Sequence, residues 1–429
     1  MNYNEAVSLY QKSPTSETLK EVCRQLCSEL TLREKLKMLS GRQFAQRNCY
    51  DLITKGKKYN HRPCLAGGVK RLGIPAIAFS DGPRGVVMGN STCFPVSMAR
   101  GATFNDDLEY DVGTAIAKET IAGDANYFAG ICINLLRNPR WGRAQETYGE
   151  DPFLLGKMGA ALTRAVQDNG VIACPKHFAC NSIENIRFSV DVHADEKTLQ
   201  EVYFPHFKKC IDAGAMSIMG AYNLLRGEHC CESRYLLTDI LRGQWHFEGF
   251  AITDFLFALR NGEKAIKAGM DVEMPMKILY TALPIYLKSG KISQRDIDTA
   301  VQNVLAGLIK ITPKINRQSK DVIACKAHAM LAKKVACEGT VLLKNNGILP
   351  LKNIKKIAVV GRYANKINVG DHGSSSVASP YTVTPYEGLC NAFGKENVVL
   401  CESLDISSRL DEIKDCSYKT VKHGVNLKN

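Results

Sequence analysis

Residues 171–177 read VIACPKH, a short apolar run that ends in two ionisable side chains. A run of this kind is typical of a buried strand whose carboxyl end carries functional groups. The pattern recurs along the chain, each time with a polar or charged residue or a proline after the apolar run. It predicts strands at residues 75–79, 131–136, 171–174, 216–221, 250–253 and 270–274.

Helical patterns separate these strands. They lie at residues 153–168, 195–213, 234–245, 259–268 and 293–311. Strands that alternate with helices form right-handed βαβ units and a parallel sheet, and six to eight such units over about 240 residues favour a TIM-type (β/α) barrel. Residues 16–40 have helical periodicity, and a capping box at Thr31 and Glu34 divides them into two possible helices. Residues 42–71 are polar and irregular, which predicts a loop.

The alternation of apolar runs and helical patterns ends after Thr312. A polar stretch that begins at Pro313 predicts a linker, and residues 322–339 predict a helix. A strand at residues 357–360 then opens a second α/β region, but only 85 residues remain from Asn345, fewer than such a domain usually needs. We therefore expect an α/β protein with a barrel domain at 1–312, a linker and helix at 313–339 and an incomplete α/β sandwich domain at 340–429.

Composition excludes several classes of protein. The 429 residues carry a net charge of +13, but the basic residues are spread along the chain without an arginine-rich arm, so nucleic acid is not expected as a partner. An apolar run of the roughly 18–20 residues that span a bilayer is absent. The first residues do not resemble a secretory signal, and the 16 cysteines lie mostly in apolar stretches. Reduced thiols in the cytoplasm are the simplest interpretation.

The polar residues near the predicted strand ends form a candidate pocket. They are Asp81, Arg143, Lys176, His177, Arg187, Tyr222 and Asp254. Such a pocket is rich in hydrogen-bond donors and acceptors, which suits a polyhydroxylated ligand such as a sugar. The chain lacks HExxH, convergent His and Cys spacing, and the glycine-rich phosphate loops. We therefore expect neither a metal nor a cofactor.

A series of motifs, in this order, resembles glycoside hydrolase family 3, and most closely its β-glucosidase branch. The motifs are SDGPRG (80–85), CFP (93–95), RNPRWGR (137–143), ETYGEDP (146–152), KHF (176–178), MGAYN (219–223), ITD (252–254) and GMDVEMP (269–275). Residues 340–350, TVLLKNNGILP, and 371–377, DHGSSSV, resemble the opening of that family's second domain. The resemblance covers the chain from about residue 30 to 390.

This resemblance implies a retaining, exo-acting β-glycosidase that hydrolyses terminal β-D-glucosyl residues by double displacement. Asp254 matches the family's nucleophile, and Asp81 matches the carboxylate that holds the sugar hydroxyls. Arg143, Lys176 and His177 match the cations and donors of the pocket. Tyr222 and Arg187 match further residues near the nucleophile. Small β-glucosides or oligosaccharides are the implied substrates, and the 373–375 loop is expected to approach the barrel mouth. The oligomeric state is left open.

The resemblance does not provide the second carboxyl group that a retaining enzyme needs as its acid and base. Glu387, Glu396, Glu402 and Glu412 are available, but none lies in a context that matches this role. The chain stops soon after the Gly-Ser-Ser loop, which suggests truncation. Two alternatives therefore remain beside an active β-glucosidase. One is a truncated, catalytically impaired sugar-binding relative, and the other is a family member that acts on xylosides or galactosides or by phosphorolysis.

Overall fold

The computed structural model describes residues 1–42, 61–352, 354–369 and 373–401, and the backbone of 418–421 and 424–427. Its strands are β1 (Cys64–Ala66), β2 (Ile77–Asp81), β3 (Tyr127–Cys132), β4 (Ile172–Lys176), β5 (Asp191–Val192), β6 (Ser217–Met219), β7 (Leu224–Leu225), β8 (Glu228–His229), β9 (Phe250–Ile252), β10 (Ile357–Val360), β11 (Val398–Cys401), β12 (Tyr418–Val421) and β13 (Gly424–Leu427).

Six of these strands, β1, β2, β3, β4, β6 and β9, belong to a ring, and β5, β7 and β8 form a separate small sheet. The strands β2, β3 and β4 are parallel neighbours, β1 pairs antiparallel with β2, and β6 pairs parallel with β9. Single bridges complete the circle. They join Phe178 to Gly220, Ile252 to Val272, Ser40 to Glu273 and Gly41 to Ala66. Eight segments are thus connected edge to edge, and the fold is a TIM-type barrel in which β1 runs against the other strands.

Three segments of this ring differ from what the sequence predicts. Residues 42–71, expected as a loop, contain β1, whereas residues 43–60 lie outside the described part of the chain. Residues 270–274, expected as a strand, pair only through bridges at Val272 and Glu273. The strand expected at 131–136 is β3, which begins at Tyr127 opposite Phe79. Its apolar sequence continues past Cys132 with a single polar residue, so only pairing with β2 sets the register.

Every residue of β2, β3 and β4 is buried, as expected of parallel strands covered on both faces. Helices supply the outer cover. They are Tyr3–Lys12, Ser16–Ser28, Leu32–Met38, Ser97–Gly101, Asp106–Ala122, Pro152–Asp168, Glu196–Thr198, Pro205–Asp212, Gly262–Ala268, Leu283–Lys288 and Gln294–Ile311, with π-helical turns at Leu199–Tyr203 and Tyr235–Gln244. The core residues of helices and strands together form one continuous apolar cluster.

Local sequence signals set the ends of several helices. The side chain of Asp151 accepts hydrogen bonds from the amides of Phe153 and Leu154, and Pro152 occupies the first helical position. Thr31 and Glu34 form the expected capping box, so residues 16–40 are two helices. Gly113 lets the Asp106–Ala122 helix approach its neighbour closely, because a Cβ there would lie 2.6 Å from the Cβ of Ala165.

The chain divides into two units. The first contains Met1–Val341 and the later segment His372–Pro380, and the second contains Leu342–Asp371 and Tyr381–Asn429. The Lys326–Glu338 helix, expected at 322–339, belongs to the first unit. In the second, β10 pairs parallel with β11, and the Pro385–Phe393 helix lies between them in sequence. This second α/β unit exposes large apolar side chains, including Leu343, Ile348, Val360, Ile367 and Val399.

Within the described residues, no helix combines the length and the apolar character that crossing a membrane requires.

Candidate active site

Four strands of the barrel end in ionisable or hydroxyl-bearing side chains. β2 ends at Asp81, β4 ends at Lys176 and is followed by His177, and β9 is followed by Asp254. Tyr222 comes three residues after β6. Because the carboxyl ends of parallel strands meet at one edge of a barrel, these side chains converge at the same mouth. The geometry below links all seven residues expected from the sequence into one network.

Asp81 and Lys176 form a buried ion pair. The Lys176 Nζ donates to Asp81 Oδ1 over 2.6 Å, and the two side chains are 2% and 6% exposed. Burial raises the pKa of Asp81, and the Lys176 ammonium works against that rise. Burial would also lower the pKa of Lys176, but the neighbouring carboxylate outweighs it and raises that pKa. The pair is therefore a fixed charge-assisted contact.

His177 is held in one orientation. Its backbone amide donates to Asn134 Oδ1 over 2.8 Å, and its carbonyl accepts from Asn134 Nδ2 over 2.8 Å. Its Nε2 lies 3.1 Å from Arg143 Nη1, and an arginine can only donate, so Nε2 accepts and the proton is on Nδ1, which faces Asn134 Oδ1. Burial, followed by the charges of Arg143 and Lys176, lowers the pKa of His177 well below its usual range. The imidazole is therefore neutral.

Asp254 has one restrained oxygen and one free oxygen. Its Oδ1 accepts from the Phe255 amide over 2.7 Å. Its Oδ2 lies 3.4 Å from His177 Nε2, but it is buried without a hydrogen-bond partner among the described residues. The unprotonated Nε2 at this distance explains why the contact is not a hydrogen bond. Burial raises the pKa of Asp254, whereas Arg143 and Lys176 lower it and Asp81 raises it further.

Tyr222 and Arg187 form the side of the pocket next to Asp254. The Tyr222 hydroxyl donates to the carbonyl of Phe255, directly after Asp254. The Arg187 guanidinium lies 4.5 Å from the centre of the Tyr222 ring, a cation–π contact, and donates to Glu184 over 3.1 Å. Glu184 also accepts from the Trp141 indole over 3.1 Å. Arg187 is thus positioned by a carboxylate and an aromatic ring.

Sequence reasoning missed two residues of this network. Glu146 accepts from Arg143 Nη2 over 2.6 Å and from the Ser375 hydroxyl, and Asn134 holds His177. Glu146 lies three residues after Arg143 within a motif already noted, and this i,i+3 spacing was the available signal. Asn134 interrupts an apolar run, which gave no comparable signal. The contact of Ser375 confirms that the 373–375 loop approaches the barrel mouth.

A cavity of about 350 Å³ opens beside this network. Its lining includes the charged residues Asp254, Arg260 and Glu273 and apolar residues such as Phe257 and Ile278, so the Asp254 carboxyl group meets a largely apolar wall. A larger surface depression of about 710 Å³ involves Met1 and neighbouring residues and none of the network. The cavity beside Asp254 suits a ligand with a polar end for the network and an apolar end for the wall.

Across residues 1–42, 61–352, 354–369 and 373–401, no group of three or more His, Cys, Asp or Glu side chains is arranged to hold a metal ion. The charged groups of the pocket are the carboxylates of Asp81, Glu146, Glu184 and Asp254 and the cations of Lys176, Arg143 and Arg187, beside a neutral histidine. Such an arrangement can bind hydroxyl groups through charged donors and acceptors while leaving Asp254 Oδ2 free to contact a ligand atom.

Two family descriptions match the chain. Residues 53–306 match "Glycosyl hydrolase family 3 N terminal domain", and residues 340–423 match "Glycosyl hydrolase family 3 C-terminal domain". Among curated proteins, the chain is similar to "Thermostable beta-glucosidase B" of Acetivibrio thermocellus, with 34% identity over 397 residues, 88% of this chain and 50% of the relative. It is also similar to "Beta-glucosidase" of Kluyveromyces marxianus, with 33% identity over 87% of this chain and 44% of the relative.

Solved structures show the same likeness. Beta-glucosidase 3B from Thermotoga neapolitana in complex with glucose superposes with a TM-score of 0.80 and 30% identity over 92% of this chain and 56% of its own. The Kluyveromyces marxianus enzyme in complex with glucose has a TM-score of 0.78 and 33% identity over 89% of this chain and 46% of its own. The chain spans about half the length of the curated relatives it matches.

Proposed function

The chain belongs to glycoside hydrolase family 3, and from that premise we propose that it is a retaining, exo-acting β-glucosidase with Asp254 as nucleophile. The observation that carries this proposal is the free Oδ2 of Asp254. One oxygen of the carboxylate is restrained by the Phe255 amide, and the other is buried without a hydrogen-bond partner among the described residues. A positioned and poorly solvated carboxylate is suited to attack an anomeric carbon and form a glycosyl-enzyme ester.

The rest of the network fits the binding of a terminal glucosyl unit. The Asp81 carboxylate, held by Lys176, is an acceptor for sugar hydroxyls, and Lys176 and Arg143 are charged donors. His177 is neutral, so its ring can make hydrogen bonds without adding charge beside Asp254. Tyr222 and Arg187 complete the wall next to the nucleophile. The glucose complexes of the similar Thermotoga and Kluyveromyces enzymes support glucose as the sugar.

The leaving group poses a separate problem. A retaining glycosidase needs a protonated carboxyl group about 5–5.5 Å from its nucleophile. Asp81 is paired with Lys176. The pKa of Glu146 is lowered because Arg143 outweighs the effect of burial. Among the described residues, these two carboxylates of the pocket are not suited to hold a transferable proton. This observation supports a second candidate, a sugar-binding relative that is impaired in turnover.

Activated substrates test both candidates. The dinitrophenolate of a 2,4-dinitrophenyl β-glucoside leaves without protonation as Asp254 forms its ester with the anomeric carbon, so we expect a burst of dinitrophenolate and a glycosyl adduct on Asp254 in mass spectrometry. If the acid is missing, alkyl glucosides should hardly react, and azide should speed release of the sugar because an anionic nucleophile needs no general base. Asp254→Ala should remove the burst, a loss of at least about 10⁴-fold. Asp212→Ala, at an exposed surface aspartate, is the matched control.

The outcomes separate the candidates. An adduct on another residue would contradict the assignment of Asp254. Equal activity on alkyl and activated glucosides would rule out the impaired relative. The same assay with xylosides and galactosides, and with inorganic phosphate as acceptor, tests the alternative specificities and phosphorolysis: a rate higher than that with glucosides and water would replace the glucosidase assignment.

We also propose a cytoplasmic location. The support is the state of the thiols: the cysteines at the core, such as Cys132, Cys174 and Cys210, are free and buried. Free buried thiols are typical of proteins in a reducing compartment. Labelling of an epitope-tagged chain in fractionated cells would test it, and recovery in the secreted fraction would contradict it.

A further inference from the structure

Glu146 uses its two oxygens for different partners. It closes a short 3₁₀ turn, Ala144–Glu146, and is 4% exposed. Its Oε2 accepts from Arg143 Nε over 2.9 Å and from Nη2 over 2.6 Å, and the Cys132 thiol points at the same oxygen over 3.4 Å. Its Oε1 accepts from the Ser375 hydroxyl. A single buried carboxylate therefore joins the barrel to a segment 229 residues later in the chain.

The segment that carries Ser375 is seated on the barrel at several points. Ser375 is 1% exposed, and Val377 is also buried. The amide of Ser91 donates to the carbonyl of Ala378 over 3.0 Å. A Cβ at Gly85 would lie 3.7 Å from a methyl group of Val377. These contacts belong to the first unit of the chain, and the contact with Glu146 connects the segment to a charged residue of the pocket.

From Glu146, successive contacts lead through Arg143 and His177 to Asp254, the proposed nucleophile. Arg143 uses Nε and Nη2 for Glu146, which leaves Nη1 to donate to His177 Nε2 over 3.1 Å. His177 Nε2 in turn faces Asp254 Oδ2 at 3.4 Å. The planar guanidinium cannot rotate without losing both bonds to Glu146. The orientation of Arg143, and therefore the group that faces Asp254, depends on Glu146.

We propose that Glu146 is a positioning residue that couples the seating of residues 373–380 to the orientation of Arg143, and through Arg143 to His177 and Asp254. The proposal rests on the proposed function for its effect on turnover. The structural part of the proposal is that Glu146 holds residues 373–380 at the barrel mouth, and this part does not depend on the proposed function. A loosened segment 373–380 and a misdirected Arg143 are then two consequences of one lost carboxylate.

A buried ion pair that only supports the fold would not predict these consequences. The charge of Glu146 also offsets that of Arg143, one of the groups that lower the pKa of Asp254. The other groups acting on Asp254 or packed against it are Lys176, His177, Asp81, Tyr222 and Cys231. If Arg143 stayed in place, loss of the Glu146 charge would lower the pKa of Asp254. An Arg143 that turns away from His177 no longer lowers this pKa, so the proposal predicts that the pKa of Asp254 rises and that the acid limb of the rate profile moves to higher pH.

Hydrogen exchange of the full chain without substrate tests the coupling directly. In Glu146→Ala and in Ser375→Ala, the amides of residues 374–379 should exchange about 10- to 100-fold faster, the scale of one lost hydrogen bond to a charged group. Alanine is used at position 146 because a glutamine could still accept from Arg143 and donate to the Ser375 hydroxyl. The double variant should exchange no faster than the faster single variant, because both changes remove the same contact. Glu109→Ala, at a buried glutamate paired with Arg100, is the matched control and should leave this segment unchanged.

Kinetics with 2,4-dinitrophenyl β-glucoside tests the second part. Glu146→Ala should lower the burst rate about 10- to 100-fold, mainly in kcat, and shift the acid limb to higher pH, whereas Glu146→Asp should restore part of both. Unchanged exchange of residues 374–379 in Glu146→Ala, or additive effects in the double variant, would overturn the coupling whatever the activity. If wild-type protein shows no burst but the exchange results hold, the proposed function fails and the coupling stands.

Discussion

The pocket contains two buried aspartates, Asp81 and Asp254, whose neighbours differ in charge and in hydrogen bonding. On one side, Asp81 receives a hydrogen bond and a full opposite charge from Lys176 at 2.6 Å. On the other, Asp254 faces an unprotonated nitrogen of His177 at 3.4 Å, and its Oδ2 has no hydrogen-bond partner among the described residues. The first arrangement stabilises a fixed acceptor. The second leaves a carboxylate whose burial is offset only in part, by the Phe255 amide and the charges of Arg143 and Lys176, which is a cost to folding and an advantage for reaction with a ligand.

The largest effect on the free energy of unfolding should come from removal of the Asp81–Lys176 ion pair. In Lys176→Met the Asp81 carboxylate stays buried without its cation, and we expect a loss of about 3–5 kcal/mol in the free energy of unfolding. Thermal and urea unfolding measure it. The control is Lys310→Met, which removes a partly exposed pair with Glu248 at 3.4 Å and should cost about 1 kcal/mol or less. Equal losses in the two variants would contradict the contrast between the sides.

Replacement of Asp254 should change the free energy of unfolding in the other direction, towards higher stability. Because burial raises the pKa of Asp254, its ionisation destabilises the fold, and this cost appears as pH rises through the folded-state pKa. Asp254→Asn removes the ionisation. We expect the variant to be more stable than wild type at pH 7, by about 0.5–2 kcal/mol, and the difference to vanish below the ordinary carboxyl range. Thermal unfolding between pH 3 and pH 8 tests the sign, and a variant less stable at pH 7 would refute it.

A smaller effect is expected at the edge of the pocket. Arg187→Lys keeps the charge but loses the planar contact with the Tyr222 ring at 4.5 Å. Glucose affinity, measured by calorimetry, should fall by about 0.5–1 kcal/mol. Arg226→Lys removes a similar contact, 5.5 Å from the Tyr235 ring and outside the pocket, and should leave affinity unchanged. Equal affinity in both variants would show that Arg187 does not support the wall beside Asp254.

The smallest effect should be seen at His177 itself. Burial and the nearby cations hold its pKa well below the usual range, so the ring should stay neutral from pH 5 to pH 8. Its carbon and nitrogen resonances should not move over this range, while free imidazole in the same sample titrates. A shift of the His177 signals near pH 6.5 would mean that a charged ring faces Asp254, and the two sides of the pocket would then be compensated alike.

Several parts of the fold could be read from the sequence because their signals are local. The Thr31–Glu34 capping box and the Asp151-Pro152 helix start depend on residues within one turn. The Gln294–Ile311 helix was expected within one residue of its start. At the pocket, Lys176, His177 and Asp254 stand where short apolar runs end, and the motifs around them resemble one family in a consistent order.

Other parts could not be read because their signals are not local. The position of β3 is set by pairing: Tyr127 lies opposite Phe79 at its start. The sequence contains no comparable signal for its end, because the apolar run continues past Cys132. Residues 40–41 complete the ring only through single bridges to Glu273 and Ala66. Glu146 looked like an ordinary residue of a loop motif, because its second partner, Ser375, is 229 residues away.

The sequence by itself determined the alternation of apolar runs with helices, the kinds of side chain at the strand ends and the family to which the chain belongs. Only the tertiary structure decided which carboxylate is compensated: Lys176 lies against Asp81, whereas Asp254 is left beside a neutral His177. The physical reason is that a carboxylate's properties depend on the charges and donors within a few ångströms and on its burial. Those neighbours come from separate strands, and only closure of the barrel brings them together.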